Sequence, residues 1–211
     1  FYIQDLNYSI QNCEFNNNRL SDLDIETSPT IYSTGSNGTH NGCLFDSNYA
    51  SRGKSKSNCK PIINIDGYYL FEECQFNNNQ VLGYEHSYCG CLFISGSKYS
   101  IMKCTFYKNK AESYDNRYYQ NEFSRGGAIL LTNSNGVLHF CSFINNTSYG
   151  KYVYAYGGAI YSESTISLFN NCSFIYNSAY TNEGDSFGGS IYFEKSEGTF
   201  ENCTILNNNV Y

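Results

Sequence analysis

Residues 157–177 decide the fold, and they read GGAIYSESTISLFNNCSFIYN. Two motifs lie in this stretch, and both recur along the chain. The first is Gly-Gly-Ala-Ile at 157–160, and the second is apolar-x-x-Cys-x-Phe-x-x-Asn at 169–177. Motifs that return at a fixed period indicate stacked structural repeats, each of which buries its apolar face against its neighbours.

The second motif occurs six times, with Ile205 replacing Phe in the last copy. Its members are the cysteines Cys13, Cys74, Cys104, Cys141, Cys172 and Cys203, the phenylalanines Phe15, Phe76, Phe106, Phe143 and Phe174, and the asparagines Asn18, Asn79, Asn109, Asn146, Asn177 and Asn208. The last three cysteines are 31 residues apart, whereas Cys13 and Cys74 are 61 apart. We interpret this longer interval as one coil with an insertion at about 46–65.

The first motif precedes the second in each complete repeat. Copies begin at Gly126, Gly157 and Gly188, the last with Ser190 in place of Ala, and degenerate copies are Gly90-Cys91-Leu92 and Gly42-Cys43-Leu44. This alignment places Cys43 and Cys91 at equivalent positions of adjacent coils.

The spacing predicts three short strands in each repeat, because Cys and Phe alternate on one face and Asn favours tight bends. Stacked coils place like residues about 4.8 Å apart, so the asparagines can pair their amides along the axis. We therefore predict an all-β fold, a right-handed parallel β-helix of the pectin-lyase-like type, with about six coils of about 31 residues. The coils span approximately 1–40, 41–89, 90–125, 126–156, 157–187 and 188–211, in one β-helical fragment of a longer chain. A disulfide-rich or antiparallel β domain is the alternative.

Composition excludes some classes of partner. The net charge is −6 and the pI is about 5.0, so we expect no nucleic-acid partner. The sequence also has no apolar run long enough for a membrane-spanning helix.

The pairing of Gly-Gly-Ala-Ile with Phe-x-x-Asn resembles the repeat of chlamydial polymorphic outer membrane proteins, which is also found in large surface proteins of some protists. The resemblance holds at the level of repeats over 1–211 and is closest at 126–208. Cys43 and Cys91 depart from it, because each replaces the Ala of the first motif. The resemblance implies a β-helical, adhesive surface protein, and it supplies no catalytic residues.

The cysteines indicate two roles. The six cysteines of the second motif are expected to form a mostly reduced interior column, since buried Cys behaves as a small apolar residue. Cys43, Cys59, Cys89 and Cys91 remain as candidates for disulfides, and a Cys59–Cys89 bond would fasten the insertion to the body in an oxidising compartment. The alternative is a zinc-like site at His86-x-x-Cys89-x-Cys91, with Cys59 or Cys43 as the fourth ligand.

An enzyme is the serious functional alternative, because β-helices also host polysaccharide lyases and glycosidases. Such chemistry needs paired acids, which would recur at one offset on adjacent coils. Only Glu163 and Glu194 match in this way, and we interpret them as a solvated acidic ladder. We therefore expect no catalytic residues and no cofactor.

Tyrosine is concentrated between the repeats, in segments that we predict to be loops on one edge. The candidate binding tyrosines are Tyr84, Tyr88, Tyr114, Tyr118, Tyr119, Tyr149, Tyr152, Tyr154, Tyr156 and Tyr180. Tyrosine with Ser, Gly and Asn is typical of adaptable recognition surfaces, although such rings can also simply cover the stack. We predict other proteins or surface glycans as partners, and coil ends that could self-associate end to end.

Sequons for N-glycosylation occur at Asn7, Asn37, Asn145, Asn146, Asn171 and Asn202. Asn7, Asn37 and Asn145 are the candidate sites, and Asn37 is predicted to lie in a long Gly/Ser loop. The sequence thus predicts a non-catalytic extracellular or cell-surface β-helix, acting in adhesion or as a structural rod or filament component. The carbohydrate-active enzyme remains the alternative.

Overall fold

The computed structural model describes residues 1–22, 30–52, 62–83, 86–114 and 123–211. In these ranges the regular elements are 32 short strands, which pair in parallel into five sheets. The described ranges contain no helix that is long and apolar enough to cross a membrane.

The sheets are named A to E in the order in which each coil passes through them, and A to D have seven strands each. Sheet A contains β1 (Tyr2–Gln4), β5 (Ile31–Thr34), β9 (Ile62–Ile65), β14 (Leu92–Ser95), β19 (Ile129–Thr132), β24 (Ile160–Glu163) and β29 (Ile191–Glu194). Sheet B contains β2 (Asn7–Gln11), β6 (Asn37–Asn41), β10 (Tyr68–Glu72), β15 (Lys98–Met102), β20 (Asn135–His139), β25 (Ile166–Asn170) and β30 (Glu197–Glu201).

Sheet C contains β3 (Glu14–Asn16), β7 (Leu44–Asp46), β11 (Gln75–Asn77), β16 (Thr105–Tyr107), β21 (Ser142–Ile144), β26 (Ser173–Ile175) and β31 (Thr204–Leu206). Sheet D contains β4 (Arg19–Asp22), β8 (Tyr49–Arg52), β12 (Gln80–Gly83), β17 (Lys110–Ser113), β22 (Thr147–Gly150), β27 (Ser178–Thr181) and β32 (Asn209–Val210). The small sheet E contains β13 (Ser87–Tyr88), β18 (Phe123–Arg125), β23 (Tyr154–Tyr156) and β28 (Ser186–Phe187).

This topology confirms the predicted fold class. Each strand pairs with the strand one coil away, as in the register of Tyr161 with Tyr192, and this fixes a repeat of about 31 residues. Seven strands in a sheet are separated by six steps, in agreement with about six turns. The strand count per coil differs from the three that we predicted, because sheets D and E add one or two strands after the motif asparagine.

The predicted insertion after Phe45 is wrong, and so is the single coil at 41–89. Phe45 pairs in register with both Phe15 and Phe76, so the 61-residue interval contains two ordinary repeats. Cys43 accordingly belongs to the interior cysteine column and not to the position of Cys91. Gly42-Cys43 is therefore not a copy of the first motif; Gly42 is the bend residue and Cys43 the cysteine of the second motif.

The second motif forms continuous columns inside the solenoid. Phe76 and Phe106 stack with ring centroids 4.6 Å apart and an interplanar angle of 2°, and the same stack extends along the motif phenylalanines. The asparagines form a hydrogen-bonded ladder: Asn79 donates from both its backbone N–H (3.1 Å) and its Nδ2 (2.9 Å) to Oδ1 of Asn109. Asn79 Nδ2 also donates to the Phe45 carbonyl at 2.9 Å, so each amide joins three coils.

Left-handed bends connect the sheets. Between sheets B and C the bend residue has a positive φ, as at Asn12 (50°), Asn171 (52°) and Asn202 (53°), where Asn tolerates this conformation. The first motif makes the bend into sheet A with Gly157 at φ +62°. The second glycine of the motif is required for a different reason: a Cβ on Gly158 would lie 2.1 Å from the Gly189 carbonyl oxygen of the next coil.

Candidate functional site

The structure describes seven of the ten predicted binding tyrosines, and five of these seven lie in strands, in two groups. Tyr149 and Tyr180 are in sheet D, whereas Tyr88, Tyr154 and Tyr156 are in sheet E. The prediction that these residues form loops is therefore wrong for these five. Small residues point inward between the outward tyrosines, as at Ser148 and Ala179, and this alternation is that of a half-buried strand.

Of the other five candidate tyrosines, the structure describes two. Tyr114 follows β17 directly, and Tyr152 lies in the bend between β22 and β23. Tyr84, Tyr118 and Tyr119 are outside the described residues.

The first group is named here the tyrosine face, and it consists of Glu112, Tyr114, Tyr149 and Tyr180 on the outer side of sheet D. Glu112, Tyr149 and Tyr180 are in register on adjacent strands. The rings of Tyr149 and Tyr180 are 4.6 Å apart, and Tyr114 meets Tyr149 edge-on at 6.2 Å. Three aromatic rings thus lie side by side on one wall of the solenoid.

An ion pair between a partly exposed lysine and a buried carboxylate lies beside the tyrosine face. Lys110 Nζ lies 2.7 Å from Glu112 Oε2, and the Glu112 side chain is only 4% exposed. Gln80 Nε2 donates to the same oxygen at 2.8 Å, so the carboxylate does not lose its hydrogen bonds when it is buried. A hydrogen bond to the Glu112 carboxylate raises the pKa of Tyr114 to about 12, because the phenol must keep its proton to donate it.

Two lysines pack on the faces of these rings. Lys110 Nζ is 5.2 Å from the Tyr149 ring centroid, and Lys151 Nζ is 6.0 Å from that of Tyr114 and 5.0 Å from that of Tyr152. Exposed cation–π contacts of this kind contribute about 0.5–1 kcal/mol each. The tyrosine face therefore combines aromatic surface with fixed charges of both signs, which suits recognition of a polar, uncharged or mixed-charge surface.

The second group lies on sheet E, where Tyr88 and Tyr156 are in register with Arg125. Arg125 occupies the corner between sheets A and E. The guanidinium lies 3.9 Å from the Phe123 ring and 4.3 Å from the Tyr161 ring. It pairs with Glu163 at 3.3 Å and approaches Glu194 at 3.9 Å. Tyr161 donates a hydrogen bond to Glu194.

This arrangement explains the acidic pair found in the sequence. Glu163 and Glu194 are in register, as their spacing predicts, but they share Arg125 and are not simply solvated. Arg125 and Tyr161 were missed as partners. The only sequence signal was the repeat of Tyr161 at Tyr192, because Arg125 reaches across from another sheet.

The interior cysteines are thiols packed against backbone. Cys13, Cys43, Cys74, Cys104, Cys141, Cys172 and Cys203 are free and form one column. Cys104 Sγ donates to the Met102 carbonyl at 3.2 Å, and Cys141 Sγ to that of Ile101 at 3.2 Å. Burial raises the pKa of Cys104 well above its ordinary range, so this thiol stays neutral.

Cys89 and Cys91 occupy the bend into sheet A. Cys89 takes the position of Gly126 with φ +48°, and Cys91 takes that of Ala128, where its buried thiol donates to the Ala128 carbonyl at 3.1 Å. Cys59 is outside the described residues, so the Cys59–Cys89 disulfide remains a prediction. In the described ranges no three His, Cys, Asp or Glu side chains converge as metal ligands.

Two predicted glycosylation sites form part of the outer face of sheet B. Asn7 and Asn37 begin β2 and β6, and Asn37 Nδ2 donates to Asn7 Oδ1 at 2.9 Å. The prediction of a long loop at Asn37 is therefore wrong: its Gly and Ser neighbours belong to a strand and to the bend before it. Asn145 lies in an exposed bend with φ +55°.

One comparison with known proteins bears on these features. The model of the Chlamydia polymorphic membrane protein repeat matches residues 140–163. This segment contains Cys141, Phe143 and Asn146 followed by Gly157–Ile160, so it includes both motifs in one repeat. The resemblance that the motifs predicted is confirmed. No curated protein matches the chain.

Proposed function

We propose that this chain is a non-catalytic β-solenoid of a cell surface or extracellular space, and that it acts in adhesion through the tyrosine face. The repeat matched at 140–163 belongs to a family of surface membrane proteins. The scaffold supports the same role, because a stack of in-register coils presents one wall continuously along its length.

The tyrosine face is the observation that carries the binding role. Tyr149 and Tyr180 form a paired aromatic surface that Lys110 and Glu112 border. Rigid tyrosines bring large contact area at low cost in side-chain entropy, and this makes them effective at recognition surfaces. Proteins and surface glycans are both partners that such a surface could take.

Binding of the purified, fluorescently labelled chain to an array of oligosaccharides and to cultured epithelial cells tests the proposal. The double variant Tyr149→Ala/Tyr180→Ala should lose most of the signal. Tyr68→Ala is the matched control, because Tyr68 is 48% exposed on the outer face of sheet B, away from sheet D. Equal loss in both variants, or no binding to either probe, would contradict adhesion through this face.

A rod or filament component is the second candidate. Phe200 and Ile205 continue the interior columns of Phe169 and Phe174, and they are 39% and 57% exposed here. A further coil, from the same chain or from a second copy, would cover them. Electron microscopy of native material should show fibres if copies stack end to end, and separate short rods if they do not.

The alternative, a carbohydrate-active enzyme, predicts a different experimental result. Incubation with a panel of acidic polysaccharides and calcium should release unsaturated or reducing ends. A blank across the panel supports the non-catalytic role, since Glu163 and Glu194 are held by Arg125 and Tyr161.

A further inference from the structure

We propose that Tyr149 and Tyr180 are a site of oxidative cross-linking, at which a dityrosine bond joins two neighbouring coils. The proposal goes beyond adhesion and holds whether or not a binding partner is found. The two residues are opposite each other in parallel strands β22 and β27. Their rings are 4.6 Å apart with an interplanar angle of 32°.

Among the tyrosine pairs whose rings are in contact within the described ranges, this pair has the shortest distance between ring centroids. Tyr156 and Tyr192 are 4.9 Å apart, Tyr2 and Tyr32 are 5.2 Å apart, and Tyr161 and Tyr192 are 5.6 Å apart. Both members of the 4.6 Å pair leave parallel backbones in the same direction, about 4.8 Å apart. The fold therefore holds the two rings at a high effective concentration, so coupling within the chain is faster than coupling between molecules.

Partial burial strengthens this preference. Tyr149 is 9% exposed and Tyr180 is half-buried, so Tyr149 is shielded from coupling with a tyrosine of another molecule, while Tyr180 keeps an exposed edge at which oxidation can begin. Glu112 precedes Tyr149 in the same outward column, where its carboxylate is held by Lys110 and Gln80. The positive charge of Lys110 over the Tyr149 ring is largely offset by its 2.7 Å pair with Glu112.

The reaction requires an oxidant, for which hydrogen peroxide with a haem peroxidase is the fitting class. Each phenol loses one electron and one proton to become a phenoxyl radical. The two radicals form a carbon–carbon bond between their ortho carbons, and the two ortho hydrogens then move to the phenol oxygens. One hydrogen peroxide takes up the two electrons and two protons and leaves as two water molecules.

Peptide mass spectrometry after trypsin cleavage can locate the bond. Cleavage after Arg125, Lys151 and Lys195 places the partners in separate peptides, 126–151 and 152–195, and Tyr149 is the only tyrosine of the first. Treatment of the folded chain with hydrogen peroxide and a haem peroxidase should yield these peptides joined with the loss of two hydrogens. The product should also unfold at a higher Tm, because the bond closes a loop in the unfolded chain.

Two variants test whether geometry or exposure selects the pair. Tyr180→Phe keeps the ring but not the phenol, and it should reduce the joined peptides by at least about tenfold. Tyr176→Phe is the matched control: Tyr176 is in the same peptide and is 55% exposed, but its neighbours in the column are Asn145 and Asn207. This variant should leave the yield unchanged, and circular dichroism should show that both variants are folded.

Denaturant provides the second comparison. The joined peptides should be lost when the chain is oxidised in guanidinium chloride, because their formation depends on the stacked coils. The proposal is overturned if Tyr180→Phe retains the cross-link, if Tyr176→Phe removes it, or if oxidation of the folded chain couples other tyrosines and not these.

Discussion

The interior of sheets A and B holds larger polar side chains in the first coils than in the later ones, which bury only the small hydroxyls of Ser162 and Ser167 there, although the same columns pass through both. In the later coils the inward positions of sheets A and B hold Ile129, Leu131 and Leu138, all of which are fully buried. In the earlier coils Ser33, His40, Asn64 and Tyr69 are equally buried at inward positions of the same two sheets.

The polar interior is only partly hydrogen-bonded. The Tyr8 hydroxyl lies 3.1 Å from His40 Nε2, and the Tyr69 hydroxyl donates to the Ile65 carbonyl at 3.0 Å. By contrast, His40 Nδ1 and both amide atoms of Asn64 are buried with no hydrogen-bond partner in the described part of the chain. Such groups cost about 1–3 kcal/mol each.

This difference between the early and the later coils indicates which half of the repeat fixes the register of the strands. The Cys-x-Phe-x-x-Asn half is present in polar and apolar coils alike, and its columns are unbroken from Phe15 to Phe174. The Gly-Gly-Ala-Ile half is complete only in the later coils. The chain therefore tolerates a poorer interior in sheets A and B wherever the asparagine ladder and the phenylalanine stack hold the coils together.

The largest expected effect comes from removing one ladder asparagine from each region. Asn48 and Asn146 make equivalent bonds: each donates Nδ2 to a phenylalanine carbonyl and to the next Oδ1, and each Oδ1 accepts two bonds. Asn48→Ala and Asn146→Ala should each lower the free energy of unfolding by about 4 kcal/mol, because several buried groups lose their partners. Chemical denaturation measures both values.

The control for this pair is Asn77→Ala, since Asn77 faces outward from β11 and is partly exposed. It should change stability by less than about 0.5 kcal/mol. A loss at Asn48 much smaller than that at Asn146 would show that the ladder is not equally important in the two regions.

A medium effect is expected from His40, the polar member of an otherwise apolar column. Its register partners are Ile10 and Phe71, and its ring stacks on Phe71 at 4.5 Å. Burial lowers the pKa of His40 from 6.5 to about 4. The unfolded chain thus binds the proton more readily, and stability is lost as the pH falls from about 6.5 towards 4.

The loss attributable to His40 should be about 2 kcal/mol between pH 7.5 and pH 5. His40→Phe should remove it, although Tyr8 loses a hydrogen-bond partner and the stability at neutral pH can fall. The measurement is the difference in unfolding free energy between the two pH values. His139→Phe, on the outer face of sheet B, is the control, and an equal reduction of the pH dependence there would contradict the assignment.

The sequence was sufficient for the columns because their members recur at nearly constant spacing, and side-chain packing inside a solenoid requires that constancy. It was insufficient for sheet D. There, the inward Ser148 and Ala179 alternate with Tyr149 and Tyr180, and this composition is also typical of loops. The insertion error has a related cause, because the early coils lack the Gly-Gly pair that would have marked each turn.

The Arg125 corner could not be predicted from spacing. Arg125 meets Glu163 and Glu194 of sheet A only because the left-handed bend at Gly126 turns sheet E against sheet A. That direction depends on backbone conformation and not on the pattern of apolar residues. The buried, unpaired amide of Asn64 could not be predicted either, because most of the many asparagines in this sequence lie in the ladder or in bends.

The smallest effect is a gain in stability from making the early interior resemble the later one. Asn64 is opposite Ile94 in the adjacent strand, so Asn64→Ile extends an existing apolar column. It should raise the free energy of unfolding by about 1–2 kcal/mol, because it removes two buried, unpaired polar atoms while adding apolar surface. Asn135→Ile makes the same change on the exposed face of sheet B and should bring no gain. If Asn64→Ile destabilises the chain instead, the early interior is a specific polar site and not a tolerated defect.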